Sequence, residues 1–352
     1  MNMTAKIPPL GSGGLITNYS CTSSCRHCLY RCSPKRSKDY ITPERTEKNL
    51  AAVKGNGCRS VHIGGGEPFV KPGALKECLR AFRGSGVGID YIETNASWVG
   101  TGAGAADSAA DTTGAGAAAL RPEALLEELL DLGADTLLIS ISPFHNEYVP
   151  YAKTERLIRA CRSAGMGIFP WVEGFIGDLT AFDTSVPHSM EEFESRFGTG
   201  YLKSLPRRYW ITLRGRALDT YEPFMTARPL EELLTESVRG CAELSDTGHF
   251  HVDLEGSYIP GLCPGLAVRV EDLGTPLSAD RYPLLTLLMT QGPAGFLEYA
   301  RREFGFEPKE EYVSKCRLCE EIRGHIVRTQ PAAGESGEKN LAELAPREYY
   351  SA

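Results

Sequence analysis

At 352 residues the chain is too long for one small core and suits a large α/β domain with an added module. A formal charge of −7 with 24% charged residues favours neither a nucleic-acid backbone nor an anionic membrane surface. No apolar run approaches the ~20 residues of a membrane span, and the opening MNMTAKIPPLGSGG lacks the apolar stretch of a signal peptide, so a cytoplasmic setting is expected.

In chain order, LITNYS (15–20) reads as a strand that runs into a cysteine loop. Thr42-Pro43-Glu44 reads as a helix start, with a hydroxyl cap, a first-turn proline and an early acid; the helix should end near GNG (55–57). SVHI (60–63) is a short apolar strand ending in glycines, followed by a helix around 73–83 and a strand at IDYIE (89–93). VGTGAGAADSAADTTGAGAAA (99–119) has little to bury and reads as a flexible surface insertion. RPEALLEELLDLG (121–133) places leucines on one helical face, TLLISIS (136–142) is a buried strand, TERLIRACRSAG (154–165) a helix and MGIFPWV (166–172) a strand. RYWITL (208–213) reads as a sixth strand and PLEELLTESV (229–238) as a helix. The alternation predicts an α/β fold, a partial (β/α)6 TIM-like barrel or open sheet of parallel strands, with ligands at the strands' carboxyl ends. Beyond residue 240, HFHVDLEGSYIP (249–260) reads as a hairpin turning at Glu255-Gly256, followed by a helical stretch (283–303). The expected divisions are a 1–13 segment, a 14–240 core, a 241–330 second module and a 331–352 tail.

Eleven cysteines are many for such a chain, and in a reducing compartment they would rarely pair as disulfides. Four crowd into CTSSCRHCLYRC, as Cys21, Cys25, Cys28 and Cys32, on the loop after the first strand. Closely spaced thiolates wrap an iron–sulfur cluster, although the ferredoxin run has a shorter first gap and ends in Cys-Pro; zinc stays open, though its sites usually pair two separated CxxC halves. About 40 residues on, VHIGGGEP (61–68) closes the next strand with three glycines, an acid and a proline. Glycines there let backbone approach a ligand, and Glu67 could accept from an ammonium group. Cys58, Cys78 and Cys161 fall on strand or helix patterns and read as small core residues. His249 and His251 alternate with Phe250 and Val252, as on a partly exposed hairpin face, although they could border the later cysteines.

CTSSCRHC matches the CxxxCxxC motif, and GGGEP the GGEP motif, of the radical S-adenosylmethionine (radical SAM) enzymes, which the chain resembles over roughly residues 14–240. The resemblance implies that Cys21, Cys25 and Cys28 hold three irons of a [4Fe–4S] cluster whose fourth iron chelates SAM, and that Cys32 is a bystander on the loop. It implies that Gly65, Gly66 and Glu67 contact the SAM amino group while Pro68 shapes the turn, and that a cluster electron cleaves SAM to a 5′-deoxyadenosyl radical that abstracts a substrate hydrogen. His27 would lie near the adenine, against the plainer reading of a surface histidine. Thr94 and Asn95 would contact the ribose, with Ala96 where the family often has glycine. Ser140 and Ser142 stand where a ribose or carboxylate contact is common, or merely begin a loop. His145 and Glu147 read as loop residues, and Arg214 or Arg216 as possible carboxylate partners.

Cys241, the hairpin, Cys263 and the CxxC of Cys316 and Cys319 resemble the shortened "twitch" form of the SPASM extension, which holds one auxiliary [4Fe–4S] cluster. Zinc in the same cysteines is the alternative, and the long gap from Gly256 to Cys263 departs from the usual spacing. Enzymes with such extensions often act on peptides or proteins. The resemblance therefore implies a peptide, protein or small-molecule substrate and a reductant such as flavodoxin or ferredoxin, with no nucleic acid and no membrane. A non-catalytic iron–sulfur or zinc protein is the rival reading. Tyr349-Tyr350 reads as a docking contact.

Overall fold

A computed structural model of the chain describes residues 5–100, 121–170, 173–330, 341 and 343–351. Of the insertion expected at 99–119, everything from residue 101 lies outside these residues, as do 331–340 of the tail.

Five short apolar strands, β1 (Gly13–Ile16), β2 (Ser60–Gly64), β3 (Gly88–Thr94), β4 (Thr136–Ile139) and β5 (Gly167–Pro170), pair in parallel in the order β5-β4-β3-β2-β1. Helices supply the crossovers; β1, β2 and β4 are almost wholly buried apolar runs, whereas β3 and β5 keep exposed positions at Gly88, Asp90 and Phe169. α1 (Pro43–Gly55) begins where expected: Thr42 Oγ1 accepts from Arg45 N at 3.2 Å, and Pro43 occupies the first turn, where its missing N–H costs nothing. α2 (Pro72–Phe82) packs against α1. α3 (Pro122–Asp131) buries Leu125, Leu126 and Leu129 and packs on α5 (Tyr151–Ala164), while α4 (Pro143–Asn146) is one turn after β4. Cys58, Cys78 and Cys161 are core residues, each at most 1% exposed.

The expected sixth strand at 208–213 does not form. Residues 210–212 are irregular chain, with Tyr209 buried and Trp210 57% exposed. Four consecutive residues, Tyr209, Trp210, Ile211 and Thr212, instead line a cavity. The free edge of β1 is filled instead by β6 (Phe250–Val252), parallel to it, and then by antiparallel β7 (Ser257–Ile259) and β8 (Val268–Arg269), giving one eight-stranded sheet. The hairpin is thus as expected, with its turn at Gly256 (φ 78°), but it is hydrogen-bonded into the central sheet. A one-turn helix α6 (Arg216–Tyr221) follows the 210–215 segment. α7 (Pro283–Phe304) bends at Gly292-Pro293, and α8 (Lys315–Thr329) carries the CxxC, its first turn capped by Ser314. Tyr349 and Tyr350 dock against α8: Tyr349 Oη donates to Glu320 Oε1 at 2.8 Å and Arg323 Nη1 donates to Tyr350 Oη at 3.1 Å.

Candidate active site

The loops after β1, β2, β3 and β4 all open at the strands' carboxyl ends, around one cavity of roughly 250 Å³. Cys21, Cys25, Cys28 and Cys32 all line it. The Ser23 N–H donates to Cys21 Sγ at 3.4 Å, and the Cys32 N–H donates to Cys28 Sγ at 3.3 Å. Burial pushes the Cys21 thiol up to about 12 and Cys25 well above its usual value, so thiolates there need a cation for compensation. Cys28 goes the other way, held down by the Cys32 hydrogen bond and then by the Arg216 guanidinium. Cys32 is not out on the loop. It is 2% exposed, and its Sγ donates to Gly65 O at 3.7 Å.

The glycine turn is built by close approach. The Gly66 N–H donates to Asn18 O at 2.8 Å and the Glu67 N–H to Ser20 O at 3.0 Å. A Cβ on Gly66 would overlap Ser20 O, and Gly65 sits at φ 138° with the same kind of conflict at Asn18 O. Glu67, 1% exposed, accepts from Phe69 N (3.1 Å), Thr94 Oγ1 (2.9 Å) and Asn95 N (2.7 Å). Three of a carboxylate's roughly four acceptor sites are therefore taken, and an ammonium would share what remains. Burial still raises this carboxyl to about 7. Pro68 lines the cavity beside it.

Thr94 and Asn95 both line the cavity. Asn95 Nδ2 donates to Thr22 Oγ1 (3.1 Å), Ser23 Oγ (3.3 Å) and Cys21 Sγ (3.6 Å), tying the third strand's end to the cysteine loop. Ala96, standing where a glycine is common, keeps the left-handed backbone (φ 62°) that glycine would take without strain. Of the two serines, Ser140 lines the cavity, whereas Ser142 is buried in a hydrogen bond with His145 Nδ1 at 2.7 Å. His27 is no surface histidine. Its ring stacks on Phe144 (4.6 Å) and meets Tyr209 edge-on (5.3 Å), and its Nδ1 is buried without a hydrogen-bond partner. His145 faces the same cavity, held neutral by burial with its pKa lowered to about 4. Glu147 is taken by Arg26 at 2.9 and 3.1 Å.

Cys241, Cys263, Cys316 and Cys319 come together around a second, smaller cavity that Arg214, Lys315 and Arg323 also line. Burial raises Cys263 to about 11, and the Cys241 thiol donates to Glu243 Oε2 at 3.1 Å. Arg214 and Arg216 are not free for a carboxylate. Arg216 donates through Nε to Cys25 O at 2.9 Å and through Nη2 to Cys32 O, while Arg214 Nη1 donates to Gly261 O (2.7 Å) and Leu262 O (2.8 Å) beside Cys263. One residue apart from Gly215 on either side, they each fasten one cysteine loop.

Sequence reasoning missed one cluster. His62 from β2 and His249 and His251 from the hairpin strand meet, with ring centroids 5.0 to 5.4 Å apart. His62 and His251 flank Gly14 in the sheet register, and their Nε2 atoms are 3.1 Å apart. Burial lowers the pKa of all three. The glycine pair of GSGG was the only signal. Among the described residues, the ligand atoms of one trio of His, Cys, Asp and Glu side chains lie within 4.8 Å of one another, and it is this one.

Fold and site together define an α/β protein with a parallel sheet, a thiol-rich cavity at its strand ends and a glycine turn against the thiols. The model of the Radical SAM superfamily matches residues 15–169, so this region is similar to radical SAM domains, and the protein is an enzyme. No curated protein matches the chain. Among solved structures, Streptococcus suis SuiB bound to S-adenosylmethionine is 15% identical over 85% of this chain and 68% of that one, with a TM-score of 0.33. Native anSMEcpe with bound AdoMet is 11% identical over 90% and 97%, with a TM-score of 0.43. Methylornithine synthase (PylB) is 17% identical over 44% and 42%, with a TM-score of 0.30. At such identities and scores the assignment rests on the family match. No helix among the described residues is long and apolar enough to cross a membrane.

Proposed function

We propose that Cys21, Cys25 and Cys28 hold a [4Fe–4S] cluster and that SAM seats over Gly65, Gly66, Glu67 and Pro68, with Thr94, Asn95, Ser140 and His27 as its further contacts. When bound, this pair supplies reductive SAM cleavage and the hydrogen-abstracting species that follows. The observation that carries the reading is that the three motif thiols and the glycine turn, 40 residues apart in sequence, line one cavity at the strand ends. The chain's own part is to hold the thiols apart through Asn95 and Arg216, to bring backbone close to the ligand at Gly66, and to wall the cavity with His27, Tyr209 and Phe144.

Cys241, Cys263, Cys316 and Cys319 are proposed to hold an auxiliary [4Fe–4S] cluster rather than zinc. Their convergence on one cavity supports this. The core would then span 14–240 and the second cysteine module 241–330, with a peptide or protein as substrate by analogy with enzymes so extended, and flavodoxin or ferredoxin as reductant.

Anaerobic reconstitution with iron and sulfide, reduction and addition of SAM should yield 5′-deoxyadenosine, which Cys25→Ala abolishes; equal yields from both proteins would overturn the reading. Iron counting should leave about half of the wild-type iron in a Cys21/Cys25/Cys28 triple alanine variant, whereas iron near zero would rule out the auxiliary cluster.

A further inference from the structure

The three histidines lie outside both cysteine sets, and nothing in the SAM reading uses them. His249 and His251 line the cavity of the candidate active site, and His62 packs against both rings. We infer that His62, His249 and His251 form a third metal centre, a site for one divalent first-row transition ion whose open side faces the cavity.

The argument begins at Gly14. Its neighbours in the register are His62 on β2 and His251 on β6, and a Cβ at Gly14 would overlap His62 Nε2. A side chain at any residue but glycine would therefore separate the two rings. His249, two residues before His251 on the same strand face, brings the third imidazole to the same point. The three centroid separations of 5.0, 5.2 and 5.4 Å make a nearly equilateral triangle, and the 3.1 Å between Nε2 atoms is close to the nitrogen spacing around an ion with ~2.0–2.1 Å bonds.

The surroundings are those of metal-bound histidines, whose second ring nitrogen is held by an outer partner. His251 Nδ1 is 2.7 Å from Tyr30 Oη. His62 stacks flat on Tyr91, at 5.0 Å and 7°. Glu93, on the neighbouring strand and lining the cavity, reaches within 3.8 Å of His62 Nε2 and offers a carboxylate as a fourth donor. A chain of hydrogen bonds from Tyr30 through His251 to His62 would use two of the rings and leaves no role for the third. Imidazole with one carboxylate suits zinc, iron, manganese and their neighbours, not calcium or magnesium. The open position, facing the cavity, would take an oxygen or nitrogen donor of whatever substrate binds there.

The test uses cluster-loaded protein dialysed against zinc, read by elemental analysis and zinc-edge X-ray absorption, without any SAM cleavage assay. About one zinc per chain with only nitrogen and oxygen neighbours at ~2.0–2.1 Å is expected. His251→Gln should weaken retention at least tenfold, and so should His249→Gln, whose half-buried side chain makes misfolding less of a concern; iron content and circular dichroism report on folding. Sulfur neighbours at ~2.3 Å, no retained zinc, or full retention in both folded variants would overturn the site.

Discussion

A single missing side chain, at Gly14, decides what two other residues can touch, and much of this protein is settled in that way. Gly65 and Gly66 do the same where the turn closes on Asn18 and Ser20. These glycines and the motif thiols were legible because their spacing is local. His62 and His251 were not, since 189 positions separate them and only strand pairing brings them together. Cys32 shows the converse. Its spacing invited a fourth ligand, the motif excluded it, and the fold places it against Cys28 in the cavity wall. With three thiols proposed as ligands, Cys32→Ser should keep both the iron and the 5′-deoxyadenosine yield, the serine hydroxyl taking the place of the thiol. Loss of the first site's iron in that variant would make Cys32 a ligand.

Among elements, the segment at 208–216 departs furthest from its sequence pattern. RYWITL reads as a strand, but its middle four side chains line the cavity, and the chain then threads between the two cysteine loops. Gly215 has φ 58° and ψ −140°, which only glycine adopts easily, and a Cβ there would overlap Leu29 O. Gly215→Ala should therefore cost about 1–3 kcal/mol. It should also lower retained iron at both sites, because Arg214 and Arg216 move with it; urea melts and iron analysis would measure the two effects. Unchanged iron would mean that the arginines do not hold the loops. The helix start at Thr42 marks the opposite case. A local cap, proline and acid wrote it into the sequence, and the structure kept it.

At the scale of the whole molecule, the tail closes back on the body through Glu343. Its two oxygens accept from Leu284 N and Leu285 N, both at 2.8 Å, in the first turn of α7. Burial raises this carboxyl to about 7. The folded protein then keeps the proton up to about pH 7, whereas the unfolded chain releases it at the ordinary carboxylate value. The folded state binds more protons in that window, so this group's contribution to stability falls as pH rises from about 4.5 to 7 and is flat above. Glu343→Gln should remove that slope, at most about 3 kcal/mol, in urea melts compared at pH 5 and pH 8. An identical slope in the variant would assign the pH dependence elsewhere.

Taken alone, the sequence determined the motif thiols, the glycine turn and the order of the first five strands and their helices. Each depends on periodicity or spacing within some tens of residues, which local sterics and hydrogen bonding read directly. The tertiary structure decided that the late hairpin completes the sheet beside β1, that no strand forms at 208–213, and that four distant cysteines share one cavity. It also decided that three histidines face one another across Gly14. Those outcomes turn on which sheet edge is free and which side chain is absent, and both are properties of contacts between segments far apart in the chain.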